Sequence, residues 1–164
     1  MVVLWEDTRT MEHYETTATA GTPEGVGLTF LTLAHSLRER VDRHMTATAG
    51  LSLSRTKVLQ VLAGHGPLHQ AELATALGQA PRSVTQILEG LERLGLVTRT
   101  GHPEDRRRKT VELTDAGRAT LAAAEEAGRR VLRRFFGSLT PQELTGLDAL
   151  LALVANGLAD DGTG

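Results

Sequence analysis

Apolar residues recur at three- and four-residue spacings along most of the chain, and this pattern predicts six helices. Five of them cover residues 27–48, 70–77, 81–94, 115–136 and 141–158. The sixth can be capped by Ser52 or Ser54 and ends near residue 64. Residues 96–99 and 110–113 alternate as strands do, which predicts a short β-hairpin between the helices over 81–94 and 115–136.

The predicted helix over residues 81–94 has two chemically different faces. Pro81 suits a first helical position, whereas Ala80 before it is a poor cap. One face is predicted to be the inner one and carries Val84, Ile87, Leu88, Leu91 and Leu94. The other face carries Arg82, Ser83, Thr85, Gln86 and Glu89, which can all hydrogen-bond outward. Together with the short helix before it and the turn at residues 78–80, this helix fits a helix-turn-helix pattern.

The predicted hairpin is strongly basic at its tip. Four consecutive cations, Arg106, Arg107, Arg108 and Lys109, follow Asp105. From Arg82 to Lys109 there are seven Lys or Arg residues against four Asp or Glu, although the whole chain carries a net charge of −2. Four adjacent cations repel one another, so an anionic partner is expected. Focused positive charge beside a polar helix face favours an interaction with duplex DNA.

Composition excludes several other functions. The chain has 164 residues, 40% of them hydrophobic, which is enough for one domain with a core. It has no cysteine, so disulfides, thiolate metal sites and thiol-based redox sensing are excluded. Aromatic residues make up only 3%, which disfavours the stacking of unpaired bases. No apolar run is long enough to span a bilayer and no signal peptide is evident, so we expect a cytoplasmic protein that does not engage a membrane.

Four regions are predicted along the chain. Residues 1–26 lack a sustained period and are expected to be a flexible tail, as are residues 159–164. Residues 51–114 form the expected winged helix-turn-helix domain. Residues 27–50 and 115–158 form a helical region. Because the apolar stripe of the last helix is too wide for one small domain to cover, this region is predicted to build an intersubunit bundle. The predicted fold class is mostly α (α+β).

Two motifs resemble those of the MarR-type winged-helix transcriptional regulators. One is the wing signature D-x-R followed by L-T-x-x-G, which here is Asp105 to Arg107, then Leu113-Thr114 and Gly117. The other is L-E-x-x-G-L-V-x-R, which here ends at Arg99. The resemblance spans about residues 27–158 and implies a homodimer on a pseudo-palindromic double-stranded DNA operator, with one winged helix-turn-helix per subunit. It further implies a repressor that responds to a small, often aromatic or anionic, effector.

The resemblance also implies roles for particular residues. Arg82, Ser83, Thr85 and Gln86 are expected to face the major groove, where arginine suits guanine and glutamine suits adenine. The family often has arginine where Gln86 stands. Arg107 is expected to enter the minor groove, with Asp105 shaping the tip, while Arg106, Arg108 and Lys109 meet phosphates. The polar candidates for an effector pocket are Arg40, Arg43, His44 and Arg55.

Two other functions remain as alternatives. A winged helix can serve protein–protein assembly without DNA, in which case neutralising Arg107 would leave the function intact. An enzyme is disfavoured because no convergent acid–base or nucleophilic constellation is present. His65 and His69 are four residues apart, but Gly66-Pro67 interrupts any helix between them, so no metal pair is expected. No cofactor is expected either.

Overall fold

The computed structural model describes residues 21–101 and 109–160. Most of the predicted N-terminal tail, the wing tip at residues 102–108 and the last four residues lie outside this part of the chain. The described elements are α1 Pro23–Ala49, α2 Leu53–His65, β1 Leu68–His69, α3 Gln70–Leu77, α4 Pro81–Arg93, β2 Val97–Gly101, β3 Lys109–Leu113, α5 Asp115–Phe136 and α6 Pro141–Asp160. Residues 1–40 and 41–164 form two compact units, and α1 contributes to both.

In the first unit, α1 begins at Pro23, four residues before the predicted start at Gly27. The early start has a local cause, because the Thr22 hydroxyl accepts a hydrogen bond from the backbone N–H of Gly25 at 3.2 Å. A threonine at this position satisfies one of the unpaired N–H groups of the first turn. This part of α1 leaves large apolar side chains exposed, namely Val26, Phe30, Leu31 and Leu33.

The core of the second unit lies between α2, α3, α4, α5 and the sheet. Its largest fully buried side chains include Leu59 and Leu62 of α2, Leu73 of α3, and Leu88 and Leu91 of α4. These are the positions that helical spacing assigns to the inner faces. Ser52 caps α2 as predicted, accepting from the Arg55 N–H at 3.4 Å. The core therefore fixes α4 by its apolar side.

The sheet has three strands in the order β1–β3–β2, all antiparallel. The hairpin of β2 and β3 was predicted, and its register pairs Val97 with Leu113 and Gly101 with Lys109. The third strand was not predicted. Leu68 pairs with Val111 and His69 with Thr110, so β1 adds two residues to the free edge of β3 just before α3 begins.

A junction at the start of α5 explains the L-T-x-x-G motif physically. Thr114 caps α5, its hydroxyl accepting from the Gly117 N–H at 3.0 Å and donating to the Gly95 carbonyl at 2.8 Å. The Thr114 N–H also donates to the Leu96 carbonyl at 3.1 Å. A Cβ built on Gly117 would lie only 2.1 Å from that Leu96 oxygen, so any larger residue would have to push the backbone apart.

The apolar side of α5 is buried only in part within this chain. Leu121, Ala124 and Val131 are buried, whereas Leu132 and Phe135 are each 42% exposed. This exposed part belongs to the region that is predicted to build an intersubunit bundle. Near its middle, α5 contacts the end of α1, where the Met45 Sδ atom would lie 3.3 Å from a Cβ built on Gly128.

Helix α6 begins as its sequence predicts. The Thr140 hydroxyl accepts from the Glu143 N–H at 3.3 Å, and the Glu143 carboxylate accepts from the Thr140 N–H at 2.7 Å, which is a capping box. The rest of the helix exposes a wide apolar surface made of Leu144, Leu150, Leu151, Leu153, Val154 and Leu158. Within the described ranges, no helix combines the length and the apolar character needed to cross a membrane.

Candidate nucleic-acid interface

The turn between α3 and α4 sets the direction of α4. Gly78 ends α3 in the left-handed conformation, with φ of 60°, which glycine adopts without steric cost. Pro81 occupies the start of α4, and Ala80 before it makes no side-chain capping bond, as the sequence predicts. The first N–H groups of α4 are therefore left without a side-chain cap, and such groups are suited to an anionic oxygen.

Helix α4 presents one buried and one polar face. Val84, Leu88 and Leu91 are completely buried, while the side chains of the opposite face remain accessible. That accessible face holds Arg82, Ser83, Gln86 and Glu89 as exposed residues and Thr85 as a half-buried one. Leu94 was predicted on the inner face and this was wrong: it is 53% exposed because α4 ends at Arg93 and Leu94 is already its C-cap.

Thr85 is tied to the preceding helix. Its hydroxyl donates to the Pro81 carbonyl at 2.9 Å, and the Gln70 Nε2 group donates to the same hydroxyl oxygen. Gln70 is the first residue of α3 and is half-buried. No sequence signal pointed to Gln70, because the two residues are fifteen positions apart and belong to different helices.

The wing hairpin follows α4 along the chain, and its described strands are residues 97–101 and 109–113. Lys109 is exposed and opens β3 opposite Gly101. The predicted groove and phosphate contacts Arg106, Arg107 and Arg108, and the shaping residue Asp105, lie outside the described residues.

An ion pair joins the end of α4 to the first wing strand. The Glu92 carboxylate accepts from Arg99 through both Nε, at 2.8 Å, and Nη2. The Arg99 side chain is only 11% exposed, and its two N–H groups donate to the same carboxylate oxygen, Oε2 of Glu92. The Arg99 hydrogen bond lowers the pKa of Glu92 below its ordinary value. Both residues belong to the second motif, but the motif alone did not reveal their pairing.

A second basic stretch, on α5, is paired with acidic residues of the same helix. Arg129, Arg130 and Arg133 all donate to Glu126, at 3.0, 3.4 and 2.6 Å. Hydrogen bonds from these arginines, that of Arg129 first, lower the pKa of Glu126 to about 2. Arg82 differs, since it has no ion-pair partner among residues 21–101 and 109–160. Arg82, at the start of the polar face of α4, is therefore a cation that no carboxylate of the described residues offsets.

The predicted effector residues are spread over two helices. Arg43 and His44 are exposed on α1, as is Arg40, which belongs to the first unit. Arg55 is half-buried on α2 and packs against α4, where its Nη2 atom would lie 3.1 Å from a Cβ built on Gly90. In the part of the chain that is described, no group of three or more His, Asp or Glu residues is arranged to hold a metal ion.

Known proteins with similar sequences are transcriptional regulators. A sequence profile described as MarR family matches residues 49–108. The transcriptional repressor NicR of Pseudomonas putida is 35% identical over 127 residues, covering 73% of this chain and 79% of NicR. The uncharacterized transcriptional regulator YfiV of Bacillus subtilis is 31% identical over 108 residues, covering 66% of this chain and 68% of YfiV.

Solved structures show the same fold. The apo form of wild-type MarR from E. coli superposes with a TM-score of 0.62 at 25% identity, covering 75% of this chain and 93% of MarR. MepR, a transcription regulator of the Staphylococcus aureus multidrug efflux pump MepA, gives a TM-score of 0.69 at 22% identity, covering 80% of this chain and 97% of MepR. The mostly helical architecture with a small antiparallel wing sheet, predicted from the sequence, is confirmed.

Proposed function

This chain belongs to the MarR family of DNA-binding winged helix-turn-helix transcriptional regulators, and we propose that it is a homodimeric, effector-responsive repressor that reads DNA through α4 and the wing. The family is one of regulators rather than enzymes. The observation that supports the proposed reading surface is that α4 has one buried face and one exposed polar face. Its buried face is locked into the core, and its exposed face offers Arg82, Ser83 and Gln86 in adjacent turns.

The chemistry of that face suits the major groove. Arginine can donate two hydrogen bonds to guanine, glutamine can pair with the donor and acceptor of adenine, and serine can bond either a base or a phosphate. Lys109 at the base of the wing, and the three arginines before it, suit phosphates and the narrow minor groove. Phosphate contacts hold the protein in register, and base contacts give it sequence preference.

The proposed dimer is supported by the unburied apolar surface of α6. Leu150, Leu153 and Leu158 are 63%, 69% and 72% exposed. Contiguous apolar surface of this kind is uncommon on a monomer and marks an interaction site. A two-fold axis would then give two reading surfaces, whose half-sites lie roughly one helical turn apart, about 34–36 Å.

Repression and effector response rest on the relatives and on the charges near α1 and α2. Three relatives, NicR, YetL and MdtR, are named as repressors. Arg43, His44 and Arg55 remain the proposed polar contacts for a small anionic effector, with Arg40 as a further candidate. Such a molecule would act by binding more tightly to a dimer that cannot engage DNA. A thermal-shift screen with small aromatic carboxylates tests this part: no stabilisation by any of them would contradict the proposed effector class.

The proposed DNA contacts are tested by fluorescence anisotropy. The probe is a duplex covering the intergenic region upstream of the gene, compared with a scrambled duplex at two salt concentrations. The wild type is expected to prefer the upstream duplex. Arg82→Ala and Arg107→Ala are expected to reduce that preference. Lys109→Ala is expected to weaken binding to both duplexes. It should also make the slope of log K against log salt concentration shallower, by roughly 0.9 for each phosphate that is no longer neutralised. Salt-independent binding would favour the assembly module instead, whereas full preference in Arg107→Ala would overturn the role given to the wing.

The dimer is tested separately by sedimentation equilibrium. The double variant Leu150→Glu/Leu153→Glu places two charges on the apolar surface of α6 and is expected to sediment as a monomer. Gln142→Glu adds a charge to the exposed first turn of the same helix and is expected to leave the mass unchanged. A wild-type protein that is monomeric at micromolar concentration would overturn the proposed dimer without affecting the assignment of α4.

A further inference from the structure

The hydrogen bonds of Thr85 leave it no proton to offer a base. A threonine hydroxyl has one donor and two acceptor lone pairs. Its proton goes to the Pro81 carbonyl, one turn back in α4, at 2.9 Å. One of its lone pairs accepts from the Gln70 amide. Only a single acceptor site on the oxygen remains.

This conclusion does not depend on how the Gln70 amide is turned. If the amide presented its carbonyl oxygen instead of its NH2 group, two protein acceptors would compete for the same hydroxyl proton. In either orientation that proton stays within the protein. To donate to guanine N7 or O6, to adenine N7, to thymine O4 or to a phosphate, all of which are acceptors, Thr85 would have to give up its hydrogen bond to the protein.

The other group on the Thr85 Cβ is its methyl. Because the oxygen is directed back to Pro81 and across to Gln70, the methyl is the group left for a base to contact at this half-buried position. Apolar contact with the C5-methyl of thymine is the major-groove interaction open to a threonine methyl. We propose that Thr85 reads a thymine by its methyl group, and that Gln70 is the positioning residue that keeps the hydroxyl turned away. This inference rests on the proposed DNA-reading role of α4.

The test removes one methyl group from the DNA at a time. The probe is the most enriched duplex that the full-length protein recovers from a randomised duplex library. Each thymine of one half-site is replaced in turn by deoxyuridine, which lacks only the C5-methyl. At one thymine the wild type is expected to lose about fourfold in affinity, the value of roughly one buried methylene-sized group.

Two variants separate the methyl from the hydroxyl. Thr85→Val keeps the shape and a methyl, so it is expected to retain the thymine preference. Thr85→Ser keeps the hydroxyl and lacks the methyl, so it is expected to bind the thymine and uracil probes equally. The inference is overturned if Thr85→Ser keeps the full preference, if Thr85→Val loses it, or if no thymine shows an effect in the wild type. Failure of the wild type to enrich any duplex would overturn the proposed function itself, and the inference with it.

Gln70→Leu tests the positioning role. Removing the amide frees the Thr85 oxygen to turn towards the DNA, so the thymine-to-uracil preference at that base pair is expected to fall at least twofold. Affinity for a scrambled duplex and the helix content measured by circular dichroism should stay at wild-type values, which a merely structural effect would not allow. An unchanged thymine preference would remove Gln70 from this role.

Discussion

The junction between Leu96 and Gly117 predicts that Gly117→Ala destabilises the protein. A methyl group at this position would meet the Leu96 carbonyl oxygen at 2.1 Å and the Leu113 Cδ1 atom at 2.7 Å. The first of these neighbours is backbone and cannot turn aside. The same carbonyl accepts the Thr114 N–H at 3.1 Å, so moving it also strains the bond that joins the end of β3 to the segment after α4.

The size of the effect follows from three contributions. Overpacking a well-packed site costs about 1–3 kcal/mol. Loss of one backbone hydrogen bond adds about 1 kcal/mol. Replacing glycine by alanine in a helix stabilises by about 1 kcal/mol, because alanine has the higher helix propensity. The expected net loss of stability for Gly117→Ala is therefore about 1–3 kcal/mol.

Urea unfolding followed by circular dichroism measures this loss. Gly64→Ala is the matched control, because Gly64 lies in α2 with no atom within 4 Å of the position that an added methyl group would take, and it is expected to stabilise by up to about 1 kcal/mol. The two alanine variants should thus shift the midpoint in opposite directions. A Gly117→Ala protein as stable as the wild type would refute the close approach of α5 to Leu96.

Two further predictions concern α4. Glu92→Gln removes the anion that pairs with the poorly exposed Arg99 and should lower the urea midpoint at pH 7, whereas Glu89→Gln on the same helix should not. Because the folded-state pKa of Glu92 is depressed, the stability that its ionised carboxylate contributes is present above about pH 4.5 and is lost as the pH falls through the lower folded value. The difference in stability between the wild type and Glu92→Gln should therefore shrink in acid. A difference that stays constant with pH would contradict the pairing. In the wild-type background, Gly90→Ala should change stability by less than about 1 kcal/mol, because the gain in helix propensity is offset by the cost of displacing the Arg55 side chain. In an Arg55→Ala background, where that side chain is absent, the same substitution should stabilise by about 1 kcal/mol. Equal effects in both backgrounds would exclude the contact.

Much of the fold could be predicted where one local signal decides the structure. The bounds of α3 agree with the prediction at both ends, because Gly78 stops the helix in a conformation that favours glycine. Thr114 and Thr140 lie directly before the first turns of α5 and α6, where a threonine that caps a helix is a local signal of its start. Strand β1 was missed because two residues, Leu68 and His69, are too few to show alternation, and only pairing with β3 makes them a strand.

The candidate site was predictable in its composition but not in its bonding. Helical spacing is enough to put Arg82 and Gln86 on the face opposite Val84. It cannot show that Gln70 reaches Thr85, or that Glu92 holds Arg99, because each pair depends on how two elements meet in space. The exposure of Leu132 likewise depends on which elements pack against α5, and the spacing of apolar residues along α5 does not show this.

The hydrogen bonds of Thr114 also couple the position of α5 to that of α4. Since the Thr114 hydroxyl is bonded to Gly95 and its N–H to Leu96, the first turn of α5 is joined directly to the segment that follows α4. Through these two bonds the start of α5 is joined to the end of α4, which carries the proposed DNA-reading face. We therefore expect any tilt of α5 to change the orientation of α4 rather than the set of side chains that α4 exposes.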